Sequence, residues 1–522
     1  MEKMKTCLLM LSIMLACCEA SKMLVVFPMP SRSHGNLGDG VVRNLLKAGH
    51  EVTYITPFVY KNPPANLRTV DVSSNFELLP DGMMDIKSIM EKTVNIEDHG
   101  LMIYMMTEIM KKTIENNAVQ KLLNDHKEQF DVVIVEWMFS ELPAGFAAVF
   151  DCPLIWVSSV EVHWMVLNLI DQPSSPTYTV DAMSPYTPPL NFRQRVNELW
   201  IQIKVMFKKY MFLDVMQNDA YESLIAPIVV KRGRKPPTFD EVRYNASLVL
   251  GNSFVSMGQA TTLPQSYKPI GGYHIDENVK PLPEDLKKLM DNSKHGVIYF
   301  SMGSNLKSKD LPDEIKRNLL KMFGTLKQTV LWKFEEVLPD MPANVHMLKW
   351  APQPAILSHP NCVLFITHGG LLSTTEAIHF GVPIIGIPVF ADQFMNVIKA
   401  IDKGFAQRVD LSYTMADELK KTILEVTGNP SYAEKVKELS FIHHDRVAKP
   451  GAELVHWVQH VVRTRGATHL RSPALRVPFY QKMYLDLAAI IAAILIVLLI
   501  LLKRACAFVC PKKNTGNQKK NN

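Results

Sequence analysis

The stretch that decides the fold reads Cys362-Val-Leu-Phe-Ile-Thr367, His368-Gly-Gly370, then Leu371-Leu-Ser-Thr-Thr-Glu376 and Ala377-Ile-His-Phe380. Six residues of buried-strand composition run into a glycine pair, and a helix is predicted over 373–380. A strand that ends in a bare glycine loop and feeds a helix is half of a βαβ unit, from which parallel sheets are built. The pattern repeats outward. Strands are predicted over 296–301, 329–334, 345–350 and 383–387, with a further helix over 390–403. An earlier series has strands over 23–27, 51–56, 131–135 and 153–158, with helices over 41–47 and 141–150. Strand and helix alternating in two series predict two doubly wound α/β domains. Turn-formers at Gly271-Gly272 and Pro281-Leu-Pro283 place the boundary near residue 275, giving domains over 21–275 and 276–445. In open α/β sheets ligands bind at the carboxyl ends of the strands, so two such domains would face each other across a cleft.

Composition agrees with a folded, multi-domain chain. There are 522 residues, 47% hydrophobic and 21% charged, enough for two or three cores. The net charge is +6, but Lys503, Arg504, Lys512, Lys513, Lys519 and Lys520 supply all of it. The body is neutral, which gives no support to nucleic-acid binding. Of seven cysteines, only Cys152 and Cys362 lie in the body, too few for a disulfide framework or a structural zinc site.

The ends carry targeting signals. Residues 1–20 have a basic start, an apolar centre from Cys7 to Cys18 and small Ala20, as a signal peptide does. Residues 487–502 are apolar without a break, and 484–502 admits one charge, Asp486. Those 19 positions span about 28 Å as a helix. Lys503 and Arg504 follow, placing the tail 503–522 in the cytoplasm. Lys519-Lys520-Asn-Asn522 resembles the dilysine retrieval signal of endoplasmic reticulum membrane proteins. Cys506 and Cys510 are placed for palmitoylation, and Asn245-Ala-Ser247 is a glycosylation sequon. The expected topology is a single-pass type I protein of the endoplasmic reticulum with lumenal domains.

Chemistry concentrates at the predicted strand ends. Gly369 and Gly370 before a helix expose N–H donors to a phosphate, and His368 adds another. Ser373 and Glu376 have capping-box spacing. Trp350 offers a flat face for a base or a place in the core. Asp392 and Gln393 are helix-start polarity or ligands for sugar hydroxyls. In the first half, Ser33-His34-Gly35 is read as a loop after the first strand. Imidazole titrates near neutrality and suits removal of a hydroxyl proton. Glu136 closes the strand Phe130-Asp-Val-Val-Ile-Val-Glu136 and could orient that ring. Met83, Met84, Met90, Met102, Met105, Met106 and Met110 suit either core or a tolerant apolar pocket. Residues 162–213 are expected to touch the membrane.

Residues 350–393 resemble the donor-binding signature of the UDP-glycosyltransferases. Phe300-Ser-Met-Gly-Ser304, Ile442-His-His-Asp445, Pro450, Trp457 and Gly466-Ala-Thr-His-Leu-Arg471 extend the likeness, as do the signal peptide, anchor and dilysine end of the membrane-bound animal branch. The resemblance implies a GT-B fold, with 446–483 packing back and leading to the anchor. It implies that Trp350 stacks the uracil, Gln353 bonds its side and Glu376 holds the ribose. Ser304, His368, Gly370 and Ser373 would contact the diphosphate, and Asp392 and Gln393 the sugar. His34 would be the catalytic base with Glu136 behind it, where many relatives have Asp. Leu372 departs from a position that is often Asn. The implied reaction is inverting transfer of a hexose from a UDP-sugar to hydroxyls of small lipophilic acceptors, a detoxifying conjugation. No cofactor or metal is expected, and chains of this type can form homo- or hetero-oligomers. UDP-glucose is expected over UDP-glucuronate, because 247–254 has no basic residue to meet a carboxylate; Lys333 is the rival cation. A non-catalytic UDP-sugar-binding partner protein is the alternative, against which the retained His34 argues.

Overall fold

A computed structural model describes residues 20–79, 86–90, 99–170, 175–181, 183–304 and 310–509. Residues 1–19, Met83, Met84, Cys510 and the terminal lysines lie outside the described residues. The first sheet is built from β1 (Lys22–Val26), β2 (Glu51–Thr56), β3 (Leu67–Asp71), β4 (Val132–Trp137), β5 (Leu154–Ser158), β6 (Leu248–Gly251) and β7 (Tyr267–Pro269). The second uses β8 (Val297–Ser301), β9 (Thr329–Lys333), β10 (Val345–Leu348), β11 (Cys362–Thr367), β12 (Ile384–Gly386) and β13 (Ala406–Arg408). Their orders are β3-β2-β1-β4-β5-β6-β7 and β10-β9-β8-β11-β12-β13. The pairings are parallel throughout. Strand order therefore reverses between β1 and β4 in one sheet and between β8 and β11 in the other. Those reversals open the crevices in which doubly wound sheets bind ligands.

Both faces of each sheet are covered, as parallel sheets require. In β1, Leu24 and Val26 face one core with Val133 and Val135, while Met23 and Val25 face another with Val132 and Ile134. The second sheet divides alike, with Ile298, Phe300 and Ile366 on one side and Val297, Tyr299 and Phe365 on the other. The helices that matter for the site are α1 (Arg32–Lys47), α2 (Leu371–Phe380), α3 (Gln393–Asp402), α4 (Pro430–His444) and α5 (Pro450–Arg463). The chain returns to its beginning through α5. Leu454, Val458 and Val461, at helical spacing, are fully buried in the core that holds Val41 and Leu45 of α1.

Three local expectations are corrected. His34 is not in a loop but in the first turn of α1, because Ser31 ends the strand connection and its carbonyl accepts Gly35 N–H at 3.0 Å. Helix α2 begins at Leu371, two residues before its predicted start at Ser373, with Gly370 at its cap; the capping-box spacing of Ser373 and Glu376 therefore falls inside the helix. The segment 141–150 splits into a 3₁₀ turn, Leu142–Ala144, and a short helix, Gly145–Phe150. Met106 and Met110 are core, and Met102 and Met105 pack against that core. Met90 packs instead against the core of the second sheet. The region 162–213 is mixed: Trp164 and Met165 are buried, whereas Phe192, Trp200, Phe207, Tyr210 and Phe212 are exposed.

Residues from Ser472 onward form a separate unit. Its helix α6 (Leu485–Val509) has 25 residues, none buried, and a mean hydropathy of 3.2 over its most apolar window. It continues past Leu502 through Lys503 and Arg504, whose long stems let their charges reach an interface.

Leu454→Ala should destabilise the protein by about 2–5 kcal/mol, because its cavity in the shared α1–α5 core cannot refill. Val447→Ala, on an exposed side chain, should stay within about 0.5 kcal/mol. Thermal midpoints of the purified variants compare the two; equal midpoints would remove α5 from the core.

Candidate active site

Helix α1 leaves the carboxyl end of β1, and Glu136 lies in the adjacent β4, one residue beyond the Val26–Val135 pair. This places His34 and Glu136 together at the first sheet's reversal. His34 Nδ1 hydrogen-bonds Glu136 Oε1. The hydroxyl of Ser159, just past β5, donates to the same oxygen at 2.5 Å. The Glu136 side chain is 2% exposed and that of His34 13%. With Nδ1–H donated to the carboxylate, the His34 Nε2 lone pair is left as an acceptor. Burial opposes charge on the ring, but the Glu136 carboxylate and its hydrogen bond prevail and raise the His34 pKa. Asp392, from the second sheet's half, adds to that rise.

The second reversal gathers the other predicted residues. Thr367 of β11 pairs with Ser301 of β8, so the loops bearing His368 and Ser304 leave side by side. A Cβ at Gly303 would lie 2.6 Å from His368 Cε1, and one at Gly370 would lie 2.6 Å from His368 Nε2. Only bare backbone lets the ring sit between the loops. Burial, aided by the Lys333 charge, lowers the His368 pKa to about 4. The ring is therefore neutral at pH 7 and can offer an N–H but no charge. Gly370 gives α2 no side-chain cap, so first-turn N–H groups stay open to an anion.

Beside them, Gln353 Nε2 donates to Glu376 Oε2 at 2.7 Å and to Ser373 Oγ at 3.2 Å. Tyr299 OH donates to Gln353 Oε1 at 3.2 Å. Trp350 is not core but 64% exposed, which leaves its face open. Asp392 precedes α3 and accepts from Asn396 Nδ2 at 3.0 Å; burial raises its pKa. Gln393 is more committed than its expected role needs. Its Oε1 accepts the N–H groups of Val389 and Phe390, at 2.9 and 3.1 Å, so only its NH₂ remains for other partners. Leu372 packs against the core of the first sheet, an apolar contact where the resemblance expects a polar residue. Asn245 lies apart, exposed, with its backbone carbonyl held by Arg471 at 2.9 Å.

Ser159 and Tyr299 escaped the sequence reading. The rule that ligands gather at strand ends reaches Ser159, one residue beyond β5. Tyr299 sits mid-strand, where its hydroxyl contact is invisible to pattern. Among the described residues, His99, His163 and Asp181 form a buried group with metal-ligand chemistry. Asp181 already accepts from His99 Nε2 and Met183 N–H at 2.8 and 2.9 Å, and from Trp164 Nε1 and His163 Nε2 at 2.8 and 3.3 Å. His163 Nδ1 accepts Met165 N–H, which fixes Nε2 as its protonated nitrogen. The group is a hydrogen-bonded hub tying the helix His99–Glu115 to the loop at Asp181.

The sequence profile described as "UDP-glucoronosyl and UDP-glucosyl transferase" matches residues 22–521. The chain belongs to this UDP-glycosyltransferase family. It is 32% identical over 489 residues to UDP-glucosyltransferase 2 of Dactylopius coccus, covering 92% of this chain and 91% of that one. It is 28% identical over 508 residues to UDP-glucuronosyltransferase 2B1 of Rattus norvegicus, covering 92% of each. The crystal structure of CalG4, the calicheamicin glycosyltransferase, superposes with a TM-score of 0.56 at 16% identity, covering 85% of this chain and 99% of that one. That likeness gives the GT-B fold. As a family member the chain is a glycosyltransferase that moves a sugar from a UDP-sugar to an acceptor. Helix α6 is consistent with membrane anchoring.

The raised His34 pKa sets a sign for pH dependence. Transfer should fall on the acid side with a midpoint above 6.5, since only neutral His34 accepts a proton. In Glu136→Gln the carboxylate is gone and burial dominates, so the midpoint should drop below 6.5 while the plateau rate also drops. Profiles of kcat/KM against pH for both proteins test this. An unmoved midpoint would detach Glu136 from His34.

Proposed function

We propose that the protein is an inverting UDP-glucosyltransferase acting on hydroxyl groups of small lipophilic acceptors, in the manner of detoxifying conjugation. One observation carries the reading: His34 presents an open Nε2 at the first reversal, with Glu136 bonded behind it. His34 takes the proton of an acceptor hydroxyl, and Glu136 stabilises the imidazolium. The acceptor oxygen attacks the anomeric carbon of an α-linked UDP-glucose as the bond to UDP breaks, giving a β-glucoside. In the bound donor, Trp350 stacks the uracil, Gln353 bonds its edge and Glu376 takes the ribose hydroxyls. Gly370, Ser373, Ser304 and neutral His368 meet the diphosphate with N–H and O–H groups. Asp392 and the Gln393 NH₂ hold the glucose hydroxyls. No residue role calls for a metal.

The preference for glucose over glucuronate is supported by where the cations are. Lys333 Nζ bonds Gly303 O at 3.0 Å and Glu335 Oε1 at 2.6 Å. Lys399 Nζ bonds Glu161 Oε2 at 2.7 Å. Residues 247–254 supply no cation, and Asp392 would repel a second carboxylate. Reading a uronate selectively needs a cation placed for it.

We propose that the two-sheet unit lies in the lumen of the endoplasmic reticulum, with Lys503 and Arg504 on the cytoplasmic side. The exposed Asn245 then carries a glycan. A mass shift removed by endoglycosidase and by Asn245→Gln supports the lumenal side; an unmodified Asn245 in membranes from an animal cell counts against it.

The deciding assay crosses UDP-glucose and UDP-glucuronate with one phenolic acceptor at matched concentrations. Glucose transfer should dominate. His34→Ala should lower it by about 10²–10⁴-fold while UDP affinity is kept. Dominant glucuronate transfer would overturn the donor reading, and near wild-type turnover by His34→Ala the mechanism.

A further inference from the structure

The segment joining the two sheets carries a histidine whose surroundings are incomplete. The His274 side chain is 2% exposed, yet neither ring nitrogen has a hydrogen-bond partner. A buried imidazole left this way is costly unless something fills the site. Its Nε2 lies 3.6 Å from Glu376 Oε1, just beyond hydrogen-bond length. Glu376 is likewise half engaged: Oε2 accepts from Gln353, while Oε1 faces His274.

The position of His274 is fixed from the other side. Arg43 Nη2 donates to His274 O at 2.8 Å, and Asn44 Nδ2 to Tyr273 O at 3.1 Å. Lys47 pairs with Asp276 at 3.1 Å. Gly40 lets α1 lie against this backbone, since a Cβ there would come within 2.8 Å of His274 Cα. The helix that carries His34 thus also holds the linker that points His274 at Glu376.

We infer that His274 is a ribose-binding residue of the donor site, supplied by the linker and working as the hydrogen-bond donor opposite the Glu376 acceptor. The inference rests on the reading of Glu376 as the ribose acceptor. A carboxylate can only accept, whereas a hydroxyl both donates and accepts. A ribose hydroxyl about 2.8 Å from each atom donates to Glu376 Oε1 and accepts from His274 Nε2–H. It meets His274 Nε2 and Glu376 Oε1 at once. Other parts of the nucleotide do not fit: a phosphate oxygen would be repelled by Glu376, and a base carbonyl would leave Oε1 unmet.

The test measures binding of UDP and of a UDP analogue lacking both ribose hydroxyls to full-length protein in detergent. Wild type should favour UDP. In His274→Phe, UDP affinity should fall about tenfold, the loss of one hydrogen bond. Affinity for the analogue should hardly move. His274→Gln places an N–H near the Nε2 position and should keep most of the preference; His274→Asn is too short and should lose it. This second pair decides the matter if the Phe variant folds poorly. Parallel losses for both ligands, or an unchanged preference in His274→Asn, would overturn the inference. Glu376→Gln separates the two readings. If it keeps full preference for UDP, the ribose role of Glu376 fails whatever His274 does. If it loses the preference while His274→Asn retains it, only His274 fails.

Discussion

A buried carboxylate governs the first half of the molecule. Glu136 stands at the reversal of the first sheet, where its charge is answered by the His34 ring and the Ser159 hydroxyl. An ionised carboxyl in such a place persists only with partners in place. Its neighbours must therefore hold their positions: β1 to deliver α1, β5 to deliver Ser159, and the two cores that keep those strands in register. The same contact chooses the imidazole tautomer and leaves Nε2 free for chemistry. Packing, charge and reactivity are one arrangement here.

The second half repeats the geometry with a different purpose. Its reversal lies between β8 and β11 and gathers glycine backbone, an uncapped helix start and a neutral histidine, all suited to an anion. The halves are tied beyond the linker. Lys399 of α3 pairs with Glu161 at 2.7 Å, and Lys403 donates to Val255 O at 3.2 Å. Arg446, just past α4, donates to Gly271 O at 2.8 Å, and α5 then enters the core of the first sheet. The His34–Glu136 pair on one sheet and the glycine-flanked His368 on the other are held by contacts that neither sheet makes alone.

How much of this was legible in the sequence depended on the length scale of the signal. The continuous apolar runs of β1, β4, β8, β9 and β11 announce buried parallel strands, and the β-branched and aromatic residues of β2 do the same. The edge strands β3, β7 and β13 did not stand out, being short or interrupted by polar residues such as Arg68 and Gln407. His34 is legible as a residue but reads as a loop position, because Ser33, Gly35 and Asn36 look like turn-formers until the first turn is packed against β1. Ser373 and Glu376 have capping-box spacing, yet Gly370 and the apolar pair Leu371 and Leu372 start the helix earlier. Glu376 then turns to Gln353. The contacts of Ser159, Tyr299 and His274 join residues far apart in the chain, and no local pattern encodes them.

The stereochemistry of transfer bears most directly on the pairing of His34 with the donor site. Under the proposed mechanism the His34-activated hydroxyl displaces the diphosphate in one step, so bond formation and bond breaking take place on opposite faces of the anomeric carbon. The decisive measurement is the proton NMR coupling at the anomeric position of the product formed from α-linked UDP-glucose and a simple phenol. A large coupling, marking the β-glucoside, is the predicted result. A small coupling, marking retention as the α-glucoside, would contradict displacement by a His34-activated hydroxyl.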